Sequence, residues 1–288
     1  MSLKTIGQIK KGIKSLKETE QFVNSFLVNI EKIFRFELNI KRKAKKKIDT
    51  SPAYSGNIKK KIEQGEQIAD FSKIEINRNF LIKAFHKICE IRKSFNSEKE
   101  EEIKKIEEAI DNGKIDFTKI QKNLALHKLS YFNTLSKKIS VSKELLHSIS
   151  LTVYGPIFEL CVEMRKDLIK DYVWKKGSCP FCGTNTAMAK FEKEVGRRVL
   201  WCPLCGAEWV YKRLECPFCG NDDQKLLRFF YLDDKSPYRV DVCDVCKGYI
   251  RTVDERKRDE EIKTNFEIED MKTLYLNDIA EKEGYKKI

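Results

Sequence analysis

Four Cys-x-x-Cys pairs lie between residues 179 and 246, and they constrain this chain more than any other feature. Eight of the ten cysteines belong to them, as Cys179/Cys182, Cys202/Cys205, Cys216/Cys219 and Cys243/Cys246. The spacing lets both thiolates of a pair reach one metal ion from a single tight turn, and two pairs complete a tetrahedral shell of four sulfurs. The eight sulfurs therefore predict two bound metal ions.

Disulfides and thiol redox catalysis are the alternatives for these cysteines. Disulfides persist in oxidising compartments, whereas cytosolic thiols are kept reduced. The first residues lack the apolar core of a secretion signal, and no apolar run reaches the roughly 20 residues that span a bilayer. We therefore expect a cytoplasmic protein without membrane insertion. A thioredoxin-like redox motif normally occurs once, so four copies favour metal binding.

An internal repeat predicts how the pairs share the two ions. Residues 179–205 and 216–246 each run from a CPFCG turn through hairpin-like sequence to a second Cys-x-x-Cys pair. Neighbouring pairs should therefore share a metal. The predicted ligands are Cys179, Cys182, Cys202 and Cys205 in site 1, and Cys216, Cys219, Cys243 and Cys246 in site 2. Because ten residues separate Cys205 from Cys216, a crossed pairing is the alternative.

The sequence leaves zinc or iron open, with zinc slightly favoured, because both accept four thiolates in a tetrahedron. Zinc would be structural, since four protein ligands leave no open position for catalysis. Iron would form a rubredoxin-like redox centre. The last turn, at Cys243/Cys246, lacks the Pro and the immediately following Gly of the other three turns, so we expect it to be looser.

Hydrophobic periodicity predicts an α+β protein with an all-α N-terminal domain at 1–172. Apolar residues recur at three- and four-residue intervals in the predicted helical segments 6–48, 75–95, 98–112, 117–139 and 141–170. Later runs rich in β-branched and aromatic residues predict the strands Ala187–Val195, Val199–Trp201, Glu208–Arg213, Leu226–Leu232, Arg239–Val242 and Tyr249–Val253. We expect two tandem rubredoxin-like or zinc-ribbon modules, at 173–213 and 214–260, and a C-terminal helix within 261–288, at Phe266–Lys282.

The net charge of +13 raises the question of a nucleic-acid partner. Residues 1–170 hold 35 Lys and Arg against 22 Asp and Glu, whereas residues 171–288 hold 22 of each. Four thiolates around a divalent ion add about −2 per site, which makes the cysteine-rich part a poor ligand for phosphate. The charge partition therefore argues against a nucleic-acid-binding zinc ribbon. Any such binding would come from the lysine-rich helices.

No other residues indicate an active site, so the sequence predicts no catalytic residues and a protein that is not an enzyme. Cys89 and Cys161 stand alone in helical segments and are predicted to be buried apolar residues. The histidines His86, His127 and His147 have no cysteine or carboxylate at ligand spacing. The chain contains neither a phosphate-binding glycine loop nor a serine–histidine–acid arrangement.

The stretch from Cys179 to Glu255 resembles the FdhE family of formate dehydrogenase accessory proteins. The resemblance rests on Cys202-Pro-Leu-Cys-Gly-Ala-Glu-Trp209, on Arg213 and Cys216 at the family's spacing, on Leu232-Asp-Asp234, and on Tyr249 behind the last turn. Leu274, Asp278 and Glu283-Gly-Tyr285 are similar to the family's closing helix. Thr186, where the family usually has Pro, and the lysine-rich N-terminal half depart from its pattern.

The resemblance implies a cytoplasmic maturation factor, or chaperone, that binds the catalytic subunit of a molybdenum- or tungsten-containing formate dehydrogenase and is needed for its activity. It also implies a helical domain followed by two rubredoxin-like metal sites. We expect the docking surface to include Trp209, Arg213, Asp233 and Asp234. The structural alternative is that Trp209 packs over a metal site and Arg213 pairs with an acidic neighbour. An iron redox protein and a nucleic-acid-binding ribbon are the competing functions.

Overall fold

The chain forms two compact units. The structure, a computed structural model, describes residues 24–94, 97–170, 172–231, 233, 235–258 and 264–288. Unit 1 comprises the residues up to Gly56 together with Ala69–Arg165. Unit 2 comprises Asn57–Ile68 together with Lys166–Ile288, so it includes a short segment from the part of the chain that is predicted to be helical. The finer division into two modules and a closing helix stays a prediction.

Helices dominate the described residues up to position 170, as predicted, while positions 6–23 of the predicted segment 6–48 lie outside the described residues. Their bounds are α1 Asn24–Ala44, α2 Ile58–Glu63, α3 Arg78–Lys93, α4 Glu100–Asp111, α5 Phe117–Ala125, α6 Leu129–Ile139 and α7 Lys143–Arg165. Of these, α2 belongs to unit 2 and the others to unit 1. Side chains cap several starts: Asn77 accepts from the Phe80 N–H before α3, and Asp116 accepts from the Lys119 N–H before α5. The two-residue strands β1 Ile48–Asp49 and β2 Glu75–Ile76 pair antiparallel.

The core of unit 1 is built around α7. Tyr154 on this helix is fully buried and donates its hydroxyl to the Phe117 carbonyl at 2.8 Å. Phe158, one turn further on, stacks on Phe71 with ring centroids 4.9 Å apart. Lys143–Ile169 is long and apolar enough to cross a bilayer by length and composition, and 67% of its most apolar window is buried. Core helices pass the same test, so this segment is weak evidence for a membrane span.

The prediction of one helical segment over 117–139 is wrong in its middle. Helix α5 ends at Ala125, and His127 adopts a left-handed backbone with φ of 54°. The Lys128 N–H then donates back to the Asn123 carbonyl at 2.8 Å, which closes the turn before α6 begins. A left-handed residue cannot continue a right-handed helix, although the apolar spacing carries on through it.

Unit 2 contains one six-stranded sheet, and its strands confirm the six that were predicted. Their bounds are β3 Met188–Phe191, β4 Arg198–Trp201, β5 Glu208–Tyr211, β6 Leu227–Tyr231, β7 Tyr238–Cys243 and β8 Tyr249–Asp254. The spatial order is β5-β4-β3-β8-β7-β6. Neighbouring strands are antiparallel except β3 and β8, which pair parallel and join the strands of the two cysteine repeats. The predicted α+β class is confirmed.

The C-terminal helical segment covers one face of this sheet. It forms two short helices, α8 Phe266–Lys272 and α9 Tyr275–Lys282. Phe266 stacks on Trp201 with ring centroids 5.6 Å apart, and Leu276 packs with Val240 of β7. The segment breaks where the buried Arg251 donates to the Asp270 carbonyl at 2.8 Å, because that carbonyl bonds to a side chain from the sheet.

Candidate metal centres

The four Cys-x-x-Cys turns share one backbone geometry. In the first, the Cys179 N–H donates to the Thr184 carbonyl at 2.8 Å, and the Gly183 N–H donates to the Cys179 carbonyl at 2.9 Å. The same two bonds, at 2.8–3.0 Å, recur in the turns that begin at Cys202, Cys216 and Cys243. The first turn of each repeat precedes a hairpin strand, and the second connects β4 to β5 or β7 to β8. The sheet therefore holds both turns of each repeat.

The residue after the second cysteine needs a left-handed backbone. In three turns it is a glycine, with φ of 76° at Gly183, 64° at Gly206 and 73° at Gly220. In the fourth it is Lys247, which adopts a φ of 58° despite its side chain. Lys247 makes the same backbone bond and its ammonium pairs with Asp244 at 3.0 Å, while the expectation of a looser last turn stays a prediction. The strain of the left-handed conformation is localised in that residue.

Site 1 brings its four thiols together inside the protein. The Sγ atoms of Cys179, Cys182, Cys202 and Cys205 lie within 4.8 Å of one another. Cys182 Sγ is 3.5 Å from Cys202 Sγ and 3.6 Å from Cys205 Sγ. All four residues are at most 5% exposed. The structure thus groups consecutive pairs, and not the crossed arrangement.

Site 2 has the same arrangement but is more open to solvent. Its thiols also lie within 4.8 Å of one another, with 3.7 Å between Cys216 and Cys246 and 3.7 Å between Cys219 and Cys243. Cys216 and Cys243 are buried, Cys246 is half-buried and Cys219 is exposed. Solvent therefore reaches site 2 from the side of Cys219.

Both thiol groups fit a tetrahedral metal ion. A zinc–sulfur bond of about 2.3 Å places tetrahedral sulfurs about 3.8 Å apart, close to the Sγ separations in the two sites. Burial raises the pKa of Cys179 and Cys205 well above the ordinary value of a thiol. Four thiolates at site 1 therefore require a cation to offset their charge. Each site can hold one metal ion, and both zinc and iron meet this donor set.

Hydrogen-bond donors next to the ligand cysteines contact the sulfurs. Thr184 places its hydroxyl 2.9 Å from Cys182 Sγ, and the Gly248 N–H donates to Cys246 Sγ at 3.4 Å. Such donors support metal thiolates by offsetting their charge. The signal was present in the sequence, because both residues lie two positions after a ligand cysteine, but spacing alone does not reveal a hydrogen bond.

The four predicted docking residues differ in accessibility. Trp209 is 4% exposed and donates its indole N–H to the Lys176 carbonyl at 3.2 Å, which favours the packing alternative for this residue. Arg213 is exposed, and its guanidinium lies 5.4 Å from the Phe191 ring centroid. Asp233 is exposed and accepts from the Lys235 N–H at 3.0 Å. Asp234 lies outside the described residues.

The isolated cysteines and histidines have structural surroundings in unit 1. Cys89 and Cys161 are fully buried, and burial raises the pKa of each thiol to about 12, as expected of inert core residues. His86 Nε2 lies 2.9 Å from an Asp111 carboxylate oxygen at the surface. His147 packs edge-on against Phe132, with ring centroids 4.9 Å apart.

Comparisons with known proteins found two proteins whose names include FdhE. No protein-family model matches the chain. The chain is 29% identical over 118 residues to a protein named "Protein FdhE homolog" from Aquifex aeolicus, and the match spans 40% of this chain and 41% of that relative. The crystal structure of the FdhE protein from Pseudomonas aeruginosa superposes with a TM-score of 0.64 at 16% identity, over 100% of this chain and 94% of that one.

The structural match shows a shared fold, and the sequence match links part of the chain to a relative with the same name. Together they confirm the family resemblance predicted from the sequence: this chain resembles the FdhE proteins in sequence over 118 residues and in fold along its whole length.

Proposed function

We propose that this protein is a cytoplasmic accessory protein that binds the catalytic subunit of a molybdenum- or tungsten-containing formate dehydrogenase and is required for its activation. The observation that carries the proposal is the sequence match to a relative named FdhE homolog, in a chain with two four-thiol sites. We assign the eight paired cysteines as structural metal ligands. Four protein ligands per ion leave no open coordination position, so the proposal includes no catalytic reaction.

Co-purification from the native host under anaerobic conditions tests this role. A tagged copy of the protein should recover the dehydrogenase catalytic subunit, and deletion of its gene should lower formate-dependent dye reduction without lowering the amount of dehydrogenase polypeptide. The proposal fails if no dehydrogenase subunit is recovered and activity is unchanged in the deletion strain.

We propose that Arg213, Asp233 and Asp234 contribute to the docking surface. Arg213 and Asp233 are exposed, whereas the buried Trp209 would act by supporting the fold around site 1. Replacing each of the three by alanine should lower recovery of the dehydrogenase subunit. The matched control is Arg197→Ala, an arginine that is 54% exposed and pairs with Glu192. Equal recovery with all four variants would remove these residues from the interface.

A redox protein is the second candidate, and the exposure of Cys219 at site 2 favours it. A solvent-accessible iron–thiolate site can exchange electrons with a partner, whereas a buried one is shielded. Colour and metal content separate the two functions. Anaerobically purified protein that is red and contains iron would support the redox role, and colourless protein with two zinc ions per chain would end it.

A further inference from the structure

A cavity of about 170 Å³ lies on the face of the sheet opposite α8 and α9. Side chains at paired positions of neighbouring strands project from the same face. The register pairs Phe191 of β3 with Arg198 of β4, and Phe229 of β6 with Asp241 of β7. Arg239 lines the cavity as well, and so do residues 213–218, which connect β5 to site 2. Arginines and phenylalanines from both cysteine repeats thus meet in one place.

Arg198 is buried with part of its hydrogen-bonding capacity unused. It is 4% exposed, and its Nη1 donates to the Glu215 carbonyl at 2.8 Å. Its buried Nε–H has no acceptor among the described residues. A buried donor without a partner costs free energy, so such groups are rare unless they serve a ligand or an ordered water. Burial lowers the pKa of this guanidinium, which reflects the same cost of isolating its charge.

Arg239 is fixed between two aromatic rings. Its guanidinium lies 4.5 Å from the Phe191 centroid and 4.3 Å from the Phe229 centroid. One edge donates to Asp241 at 2.7 Å, while the Nε–H has no acceptor in the described part of the chain. Stacking on both faces holds the donors in a defined plane. The cavity is therefore lined by a guanidinium that is held in place next to aromatic surface.

Carboxylates offset only some of the guanidinium charges around the cavity. Asp241 pairs with Arg239, and Asp254 pairs with Arg256 at 2.7 Å. Glu215 also lines the cavity, but it pairs with Lys212 and accepts from the Tyr211 hydroxyl. Within the described residues, Arg198 and Arg213 have no carboxylate at ion-pair distance. Three guanidiniums, those of Arg213, Arg239 and Arg256, lie 4.5–5.4 Å from the Phe191 centroid, and of these Arg213 lacks an offsetting carboxylate within the described residues.

We propose that this cavity binds a small molecule that carries a carboxylate or phosphate group on an apolar or aromatic body. The planar fork of an arginine matches both oxyanions and binds them through paired hydrogen bonds. Arg198, Arg213 and Arg239 hold the oxyanion, and the exposed rims of Phe229 and Leu214 contact the body. The site does not rest on the accessory role proposed above. The competing explanation is that the arginines only offset the negative charge of the site 2 thiolates, since Cys216 and Cys243 also line the cavity.

Calorimetric titration of the metal-loaded full chain tests the site with three probes. Benzoate and phenyl phosphate present the two oxyanions on one aromatic body, and methyl benzoate is the neutral analogue. At least one anion should bind, and at least about tenfold more tightly than methyl benzoate, as expected when hydrogen bonds to charged groups are lost. The preferred anion identifies the ligand as a carboxylate or a phosphate. No binding of either anion at about 10 mM overturns the proposal.

Two arginine variants separate the site from its surroundings. Arg213→Gln removes an exposed guanidinium from the cavity and should weaken anion binding about tenfold with two metal ions retained. The control is Arg197→Gln. Arg197 precedes Arg198 in the chain but lies outside the cavity lining, so this variant should bind the anions like wild type. Arg198→Lys, if it folds, should also bind weakly. Equal affinity in the two glutamine variants, or loss of the site 2 metal as the only effect of Arg213→Gln, overturns the proposal in favour of charge compensation.

Discussion

Lys41 lies within a run of basic residues, yet it is 3% exposed. Its ammonium contacts Glu159 at 2.5 Å and Glu163 at 2.8 Å, both on α7. Lys41→Ala removes the cation from between two part-buried carboxylates, and we expect the free energy of unfolding to fall by about 3–5 kcal/mol. Urea unfolding followed by circular dichroism at 222 nm measures the change.

Lys43 on the same helix provides the control for Lys41. It is exposed, so Lys43→Ala should change the free energy of unfolding by no more than about 0.5 kcal/mol. If the two alanine variants are equally stable, the ion pairs of Lys41 contribute nothing to folding.

Glu102 should make unit 1 sensitive to acid. Hydrogen bonds from Lys99, at 2.6 Å, and from Ser142 lower the pKa of Glu102 from 4.5 to about 2. Because the folded pKa lies below the unfolded value, the carboxylate stabilises the fold above pH 4.5, and this contribution is lost as the pH falls toward 2. Glu102→Gln should therefore lower the urea midpoint at pH 6, and the difference from wild type should narrow by pH 3.

The exposed carboxyl of Glu100, which pairs with Lys104, is the control for this measurement. Glu100→Gln should change the midpoint little at either pH. A gap between wild type and Glu102→Gln that stays constant from pH 6 to pH 3 would show that the carboxylate charge does not matter.

At the residue scale, the sequence predicts what depends on local spacing. The eight clustered cysteines are recognisable because each pair and its turn lie within six residues. The burial of Lys41 and of Arg198 is not predictable in this way, because it depends on partners or strands that are distant along the chain. A run of basic residues therefore does not reveal which of its lysines is buried, and local sequence does not reveal a cavity lined by arginines from several strands.

At the scale of single turns, a substitution at Gly220 measures the free-energy cost of a left-handed backbone. Its φ is 73°, and a Cβ built there meets no atom within 4 Å. Gly220→Ala should therefore destabilise unit 2 by about 1–2 kcal/mol through the left-handed backbone alone. All three tryptophans belong to unit 2, so urea unfolding followed by tryptophan fluorescence reports the change. If Gly220→Ala leaves the free energy of unfolding unchanged, the left-handed backbone of this turn carries no measurable cost.

The elements themselves were predictable where side-chain pattern and backbone agree. Alternating apolar and polar side chains, together with β-branched content, predict all six strands, and the predicted bounds differ from the observed ones by a few residues. The break between α5 and α6 was missed because His127 carries no compositional sign of a left-handed turn. The interruption between α8 and α9 depends on Arg251, which reaches the Asp270 carbonyl from the sheet and has no local signal.

For the whole molecule, the unequal exposure of the two sites predicts stepwise loss of metal. A chelator reaches an ion through solvent, and Cys219 opens site 2 whereas all four cysteines of site 1 are buried. Metal release should therefore show two phases of one ion each, measured with a chromogenic chelator. Cys219→Ser should remove the fast phase and Cys182→Ser the slow one. A single phase that releases both ions together would contradict this order.

The sequence repeat does not reveal that the six strands form one sheet. The reason is the parallel pair of β3 and β8, in which Met188 lies opposite Arg251 and Phe191 opposite Asp254. Pairing between strands so distant in the chain leaves no trace in local periodicity, so neither the shared sheet nor the cavity upon it could be predicted.

That parallel pair also sets when the protein can finish folding as it is made. Strand β3 is synthesised first, and its partner β8 leaves the ribosome about 60 residues later. Until then one edge of β3 is exposed and open to incorrect strand partners. Metal ions that bind site 1 early would hold the nascent β3–β4–β5 hairpins in register during this interval, so metal supply during translation would affect the yield of folded protein.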